Sequence, residues 1–165
     1  KRISRPSEIL TLLDRQIFST LNQNIELGMS NDGMDMVVCE FNIKTRHLRF
    51  SSAMRPVILV LDGETYYIKG NRSSIGGESA SEKFFDEQEY YMNENDSIYL
   101  FSDGLSDQFG GPDGKKMKIA RLKRMIEQVA ELGMDDQKEA ITRFYNEWKR
   151  TYDQVDDILL MGVRV

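Results

Sequence analysis

Asp62-Gly63 stands between two apolar-rich runs, Val57–Leu61 and Glu64–Lys69. A two-residue type I′ turn needs positive φ at both central positions, and Asp-Gly supplies this at low steric cost. The two runs are therefore expected to fold back on each other as a tight hairpin. A second hairpin is expected just upstream, where Met36–Ile43 and Leu48–Ser51 flank a turn near Lys44-Thr45. Further strands are read over Phe85–Met92 and Ser97–Ser102. The Gly- and Ser-rich stretch Gly70–Lys83 between the hairpin and these strands reads as a loop.

Helical periodicity brackets these strands. Pro6 opens an amphipathic segment to Asn22 with Ile9, Leu10, Leu13, Ile17 and Leu21 on one side. Asn31-Asp32-Gly33 breaks the chain after it. Beyond Gly110-Gly111-Pro112, a helix carries Ile119, Leu122, Ile126 and Val129. Another carries Ala140, Phe144 and Trp148, with Asp135 as its expected cap. Ile158–Val165 is apolar enough to read as a central strand. The order helix, hairpins, two helices, strand argues for an α+β domain of antiparallel sheets with helices outside. It lacks the β-α-β-α alternation of a doubly wound nucleotide-binding sheet.

Composition narrows the function classes. A net charge of -5 leaves no basic excess for a phosphate backbone, so nucleic acid is not an expected partner. With 40% apolar residues in 165, one domain with a buried core is expected. Cys39 is the only cysteine, which excludes an intramolecular disulfide and a thiolate metal cluster and fits a reducing compartment. No apolar run approaches the ~20 residues a membrane span needs. A cytoplasmic location without membrane contact by these residues is the expectation, with tethering through a sensor elsewhere in a longer protein left open.

Two acidic positions lie at the ends of apolar strands rather than on solvated faces. Asp103 follows Leu100-Phe101-Ser102, and Asp156-Asp157 precedes Ile158-Leu159-Leu160. If those strands are antiparallel neighbours, both carboxylates sit at one end of a sheet, about one ~5 Å strand spacing apart. Such a pair is tolerable with a cation between them or a proton on one. Oxygen-only ligands favour Mg²⁺ or Mn²⁺ over zinc. From spacing alone, a turn at Asp103-Gly104 and a solvated cap at Asp156-Asp157 are the commoner readings of such residues.

Tyr99–Gly111, with Ser102-Asp103-Gly104-Leu105-Ser106-Asp107 at its centre, and Asp156–Arg164 resemble the last two signature blocks of the PPM phosphatases in their SpoIIE-like branch. Asp32–Met36, Ala53-Met54-Arg55-Pro56 and Ser74-Ile75-Gly76 extend the resemblance in family order. It implies an α-β-β-α sandwich of antiparallel sheets flanked by helices, with two Mn²⁺ or Mg²⁺ ions in a cleft. These ions activate water for in-line attack on a phosphoserine or phosphothreonine. Asp103 and Asp156 match metal-ligating aspartates, and Asp107 matches a position that helps hold a third, weaker ion. Gly104 and Asp157 match neighbouring positions that support the ligands. Arg55 lies in a turn that would face substrate, although a solvated turn arginine is the alternative. His47 is expected to be exposed in its hairpin.

The substrate implied is a phosphorylated regulatory protein, such as an anti-sigma-factor antagonist, under control of an upstream sensor. The family's Gly-Asp-x-x-Gly-His-Gly turn, which bridges both metals, does not occur in these 165 residues. The expectation is therefore a SpoIIE-like domain over 1–165 lacking its first strands and first metal motif. Such a chain would be inactive alone and prone to self-association. The alternative is a non-catalytic regulatory module that keeps the phosphatase fold.

Overall fold

The computed structural model describes residues 5–21, 23, 32–77 and 82–165. Asn22, Asn31 and the part of the Gly70–Lys83 loop at 78–81 lie outside the described residues. In chain order the elements are α1 (Pro6–Thr20), β1 (Gly33–Met34), β2 (Met36–Asn42), β3 (His47–Ala53), β4 (Val57–Leu61), β5 (Glu64–Ile68), β6 (Ile75–Gly76), β7 (Glu87–Tyr91), β8 (Ser97–Phe101), α2 (Asp103–Asp107), β9 (Phe109–Gly110), β10 (Lys115–Lys116), α3 (Ile119–Val129), α4 (Met134–Lys149) and β11 (Leu160–Arg164). They fall into two compact units, one of Lys1–Pro56 and Lys69–Met92, the other of Val57–Ile68 and Asn93–Val165. The class is mixed helix and antiparallel sheet, as the hairpins and helical periodicities require.

In the first unit, β2, β3 and β7 form an antiparallel sheet in that order. β6 pairs with β1, so Ser74-Ile75-Gly76 is partly strand rather than loop. The apolar side of α1 packs where its spacing predicts. Leu10 is fully buried with Ala53, Ile75 and Phe85, and Leu13, Ile17, Met36 and Val38 lie around them. Leu21 is 43% exposed instead, because the helix ends at Thr20 and Leu21 lies at its cap, past the last turn of the stripe. Lys83 Nζ lies 2.9 Å from Asp14 Oδ1 and 3.0 Å from the Ser74 carbonyl, and Gly76 N–H donates to the same Asp14 oxygen at 2.8 Å. This buried charge is matched by oxygen acceptors, which is the condition for burying it.

The N-terminus of α1 is anchored to β7. Arg5 and Ser7 donate to the Glu87 carboxylate, Arg5 Nη2 at 2.8 Å and Ser7 Oγ at 3.0 Å. Burial opposes ionisation of Glu87, but the hydrogen bonds from Arg5 and Ser7 outweigh it and hold the carboxyl below the usual glutamate range. A carboxylate with a depressed folded pKa contributes stability that is complete above its unfolded pKa of ~4.3 and is lost as pH falls through the lower folded value. Protection of the α1 amides, taken as exchange relative to the intrinsic rate at each pH, is therefore expected to fall below pH ~4. Glu87→Gln should abolish that acid-specific step.

His47 is not the exposed residue expected. Its side chain is 21% exposed, stacks on Tyr91 at 4.7 Å and stands 3.2 Å from Glu89 Oε2, without hydrogen-bond alignment. Register explains this, since His47 lies opposite Tyr91 across the β3–β7 ladder. Cys39, in spite of its apolar neighbours, is exposed, because strand alternation puts it on the face opposite Met36 and Val38, which pack against the Leu10 cluster.

The second unit holds a sheet of order β11-β8-β4-β5, all antiparallel. Asp62 at φ 49° and Gly63 at φ 80° make the β4–β5 turn with both central residues in the left-handed region, as a type I′ turn demands. Ile58, Val60, Tyr99 and Phe101 pack with Leu122, Met125 and Ile126 of α3 and Trp148 of α4. Each large apolar side chain fully buried here contributes on the order of 1.5–3 kcal/mol. Gln137 is buried and bonded throughout, accepting from the Tyr99 hydroxyl at 2.8 Å and donating to the Leu132 carbonyl at 3.1 Å. Arg164 donates to the Leu132 carbonyl at 2.8 Å and also to that of Ala130, placing a cation on the carbonyls that follow α3.

Two expectations are corrected in this unit. Gly133, not Asp135, occupies the cap of α4, and Asp135 sits in the first turn, where its charge still suits the helix dipole. β11 is an edge strand among the described residues, not a central one, and begins at Leu160. Leu159 just before it and Met161 and Val163 along it are exposed. Apolar content alone cannot tell a covered strand from an uncovered edge.

Candidate active site

Antiparallel pairing of β8 with β11 fixes the geometry. Leu160 lies opposite Phe101, so the residues that follow β8 and those that precede β11 meet at one end of the sheet. Past the ladder, Ser102 N–H donates to the Leu159 carbonyl at 3.1 Å. The Ser102 hydroxyl accepts from Leu159 N–H at 2.9 Å and donates to the Asp157 carbonyl at 2.8 Å. Asp103 is the first residue of α2, not part of a simple turn, and its carbonyl accepts from Ser106 Oγ at 3.0 Å.

Gly104 permits the close approach. A Cβ there would lie 2.4 Å from the Asp157 carbonyl oxygen and 3.2 Å from Asp156 Cβ, so no side chain fits without moving backbone. The structure thus brings Asp103-Gly104 and Asp156-Asp157 side by side. Asp103, Asp156 and Asp157 are exposed. Asp156 Oδ1 accepts from Asp157 N–H at 2.7 Å. Asp107 lies on the next helical turn, with its carboxylate 2.8 Å from Lys116 Nζ, a basic partner not foreseen in the sequence. Arg55 belongs to the other unit, where its guanidinium stands 3.6 Å from Asp35 Oδ2 and its side chain is 24% exposed, more enclosed than a solvated turn arginine.

Solvent-facing carboxylates at one sheet end, with no imidazole or thiolate among them, are the donor chemistry of a hard divalent ion such as Mg²⁺ or Mn²⁺. The set is incomplete for one: among the described residues, no three of His, Cys, Asp and Glu gather as a metal site. The residues present fit part of a coordination shell.

A family profile for Stage II sporulation protein E (SpoIIE) matches residues 1–165. The chain belongs to the SpoIIE family. Among solved structures it is similar to the SiaA-PP2C domain of Pseudomonas aeruginosa, at 26% identity and a TM-score of 0.83, over 98% of this chain and 61% of that one. The chain thus spans about three-fifths of the length of that domain. It shares the fold of the phosphatase domain of SpoIIE from Bacillus subtilis (Mn presoaked), at 12% identity, TM-score 0.63, over 100% of this chain and 74% of that one. The RsbU and RsbW domains of a Mycobacterium tuberculosis protein match at 18% identity and TM-score 0.71, over 98% of this chain and 42% of that one. Comparison with curated protein sequences gave no match. Membership in SpoIIE and the PP2C phosphatase fold are thereby established. No helix among the described residues is long and apolar enough to cross a membrane.

Sequence reasoning left Ser102 and Gln108 unassigned. A serine before Asp-Gly reads as a cap, yet Ser102 makes no cap bond and spends its hydroxyl on the opposite segment. Gln108 is fully buried, and nothing in its sequence surroundings marks it so.

Proposed function

We propose that this chain carries part of the metal site of a protein phosphatase that removes phosphate from serine or threonine of a regulatory partner protein. The observation that carries the reading is the juxtaposition, across Gly104, of the Asp103 and Asp156 segments in a chain of the SpoIIE family. Asp103 and Asp156 would hold Mn²⁺ or Mg²⁺ in this reading, with Gly104 and Asp157 supporting them. A bound divalent ion supplies charge stabilisation for the phosphoryl oxygens and a water acidic enough to attack at neutral pH.

The chain's own residues set the stage for that chemistry. Gly104 lets the two acidic segments approach, and Ser106 ties back to the Asp103 carbonyl. Lys116 balances Asp107, which keeps that carboxylate available for a weaker ion only at the expense of its ion pair. In this reading the substrate is a regulatory protein such as an anti-sigma-factor antagonist and an upstream sensor is the controller, as membership in the SpoIIE family suggests.

A second reading, a non-catalytic regulatory module with this fold, is favoured for the isolated 165 residues by one observation: the described carboxylates do not complete a ligand set. Ions that want about six oxygens should bind these residues weakly. The test is phosphate release from a phosphoserine-bearing regulatory protein by the full-length protein with Mn²⁺ or Mg²⁺. Metal-dependent release supports the phosphatase. A full-length protein without it would leave the regulatory module standing.

A further inference from the structure

Residues 150–159, which carry Asp156, belong to no helix or strand, and 151–157 are exposed throughout. Ladder pairing with β8 begins only at Leu160. Besides the bond from Ser102 N–H to the Leu159 carbonyl, the segment is held by two polar side chains at either end of the short helix that starts with Asp103. On one side, the Ser102 hydroxyl donates to the Asp157 carbonyl and accepts from Leu159 N–H. On the other, Gln108 Nε2 donates to the Asp153 carbonyl at 2.9 Å.

Gln108 is built for this task. Its side chain is fully buried, Nε2 also donates to the Phe109 carbonyl at 3.0 Å, and Oε1 accepts from the Tyr145 hydroxyl at 3.1 Å. Its own carbonyl accepts from Trp148 Nε1 at 3.0 Å and from Met117 N–H at 2.9 Å. Buried amides so fully engaged are fixed in orientation. Asp156 is thus pinned three residues before and one residue after, from both ends of the Asp103 helix.

We infer that Ser102 and Gln108 are positioning residues that hold the Asp156 segment in register with Asp103, so that the first acidic block templates the second. The inference rests on the reading of Asp103 and Asp156 as metal ligands. An irregular exposed segment without these pins must be ordered by the ion itself, and that ordering is subtracted from binding. Partners that orient metal ligands are typically worth 10–100-fold in metal affinity.

The test uses the 165-residue chain, Mn²⁺ alone as probe, and two readouts: Mn²⁺-induced broadening of backbone amide resonances, and hydrogen exchange without metal. Broadening in the unaltered chain is expected at residues 103–104 and 156–157, and Asp103→Asn or Asp156→Asn should remove it. Ser102→Ala should accelerate exchange of Leu159 N–H and raise the Mn²⁺ concentration for half-maximal broadening about 10-fold or more, with Ser102→Thr restoring both. Gln108→Met should raise the same midpoint about 10-fold as well. If Ser102→Ala and Gln108→Met leave the midpoint unchanged while the aspartate variants abolish broadening, the positioning role is overturned and the ligand reading survives. If broadening ignores the aspartates, the ligand reading falls and takes this inference with it.

Discussion

Asp103→Asn, and separately Asp156→Asn, should lower Mn²⁺-dependent phosphatase activity of the full-length protein by at least ~10²-fold, because even outer partners of metal ligands cost 10–100-fold when removed. Both side chains are exposed. Exposed substitutions usually change stability by about 0.5 kcal/mol or less, and loss of the Asp103 charge in the first turn of α2 costs up to about 1 kcal/mol, so Tm shifts of only about 2–4 °C are expected at this size. Asn also keeps an oxygen where Asp156 Oδ1 accepts from Asp157 N–H. Activity and stability should therefore separate. Asp107→Asn is the contrast: Lys116 already occupies that carboxylate, so its loss should raise the Mn²⁺ requirement more than it lowers the maximal rate. Steady-state rates over a Mn²⁺ series, with Tm for each variant, decide the matter. Undiminished activity in Asp103→Asn would remove the ligand assignment.

Gly110→Ala should be the most destabilising one-carbon change in the second unit. An added Cβ would lie 2.0 Å from the Trp148 carbonyl oxygen and 2.6 Å from its carbonyl carbon, both backbone atoms that cannot rotate aside. Relief requires the chain at Trp148 to withdraw, breaking the 2.8 Å bond from Gly111 N–H to that oxygen and straining the 3.0 Å bond from Trp148 Nε1 to the Gln108 carbonyl. Gly111 cannot absorb the shift, being at φ +69° with Trp148 ring atoms 2.6 Å from where its Cβ would stand. Overpacking of about 1–3 kcal/mol and a lost hydrogen bond of about 1 kcal/mol give roughly 2–4 kcal/mol. Gly133→Ala is the control, since its Cβ would meet only Asp136 Oδ2 at 3.6 Å, and a cap change there costs about 1 kcal/mol. Urea unfolding followed by fluorescence of Trp148, the only tryptophan, measures both. Equal midpoints for the two variants would mean that the Gly110–Trp148 contact is loose.

Local chemistry was legible wherever the determining atoms lie within a few residues of each other. Asp62-Gly63 specified its turn because positive φ is a property of the two residues themselves. The periodicity over residues 119–129 specified α3 and its buried Leu122 and Ile126 in the same way. The acidic strand ends at Asp103 and Asp156 were visible because a carboxylate beside an apolar run is conspicuous in one dimension. Their adjacency was conditional on antiparallel pairing, which the β8–β11 register supplies.

Sequence by itself determined the types of the longer helices and strands, the hairpin at 62–63, the mixed antiparallel class and the resemblance of the blocks at 99–111 and 156–164. Tertiary structure alone decided that β11 is an edge strand among the described residues, that Lys116 reaches Asp107, and that the Ser102 hydroxyl and the Gln108 amide bind the segment around Asp156. The reason is range. Backbone dihedral preference and apolar period are written into neighbouring residues, whereas the partner of a hydroxyl or amide is set by which distant segments the sheet brings within 3 Å of it.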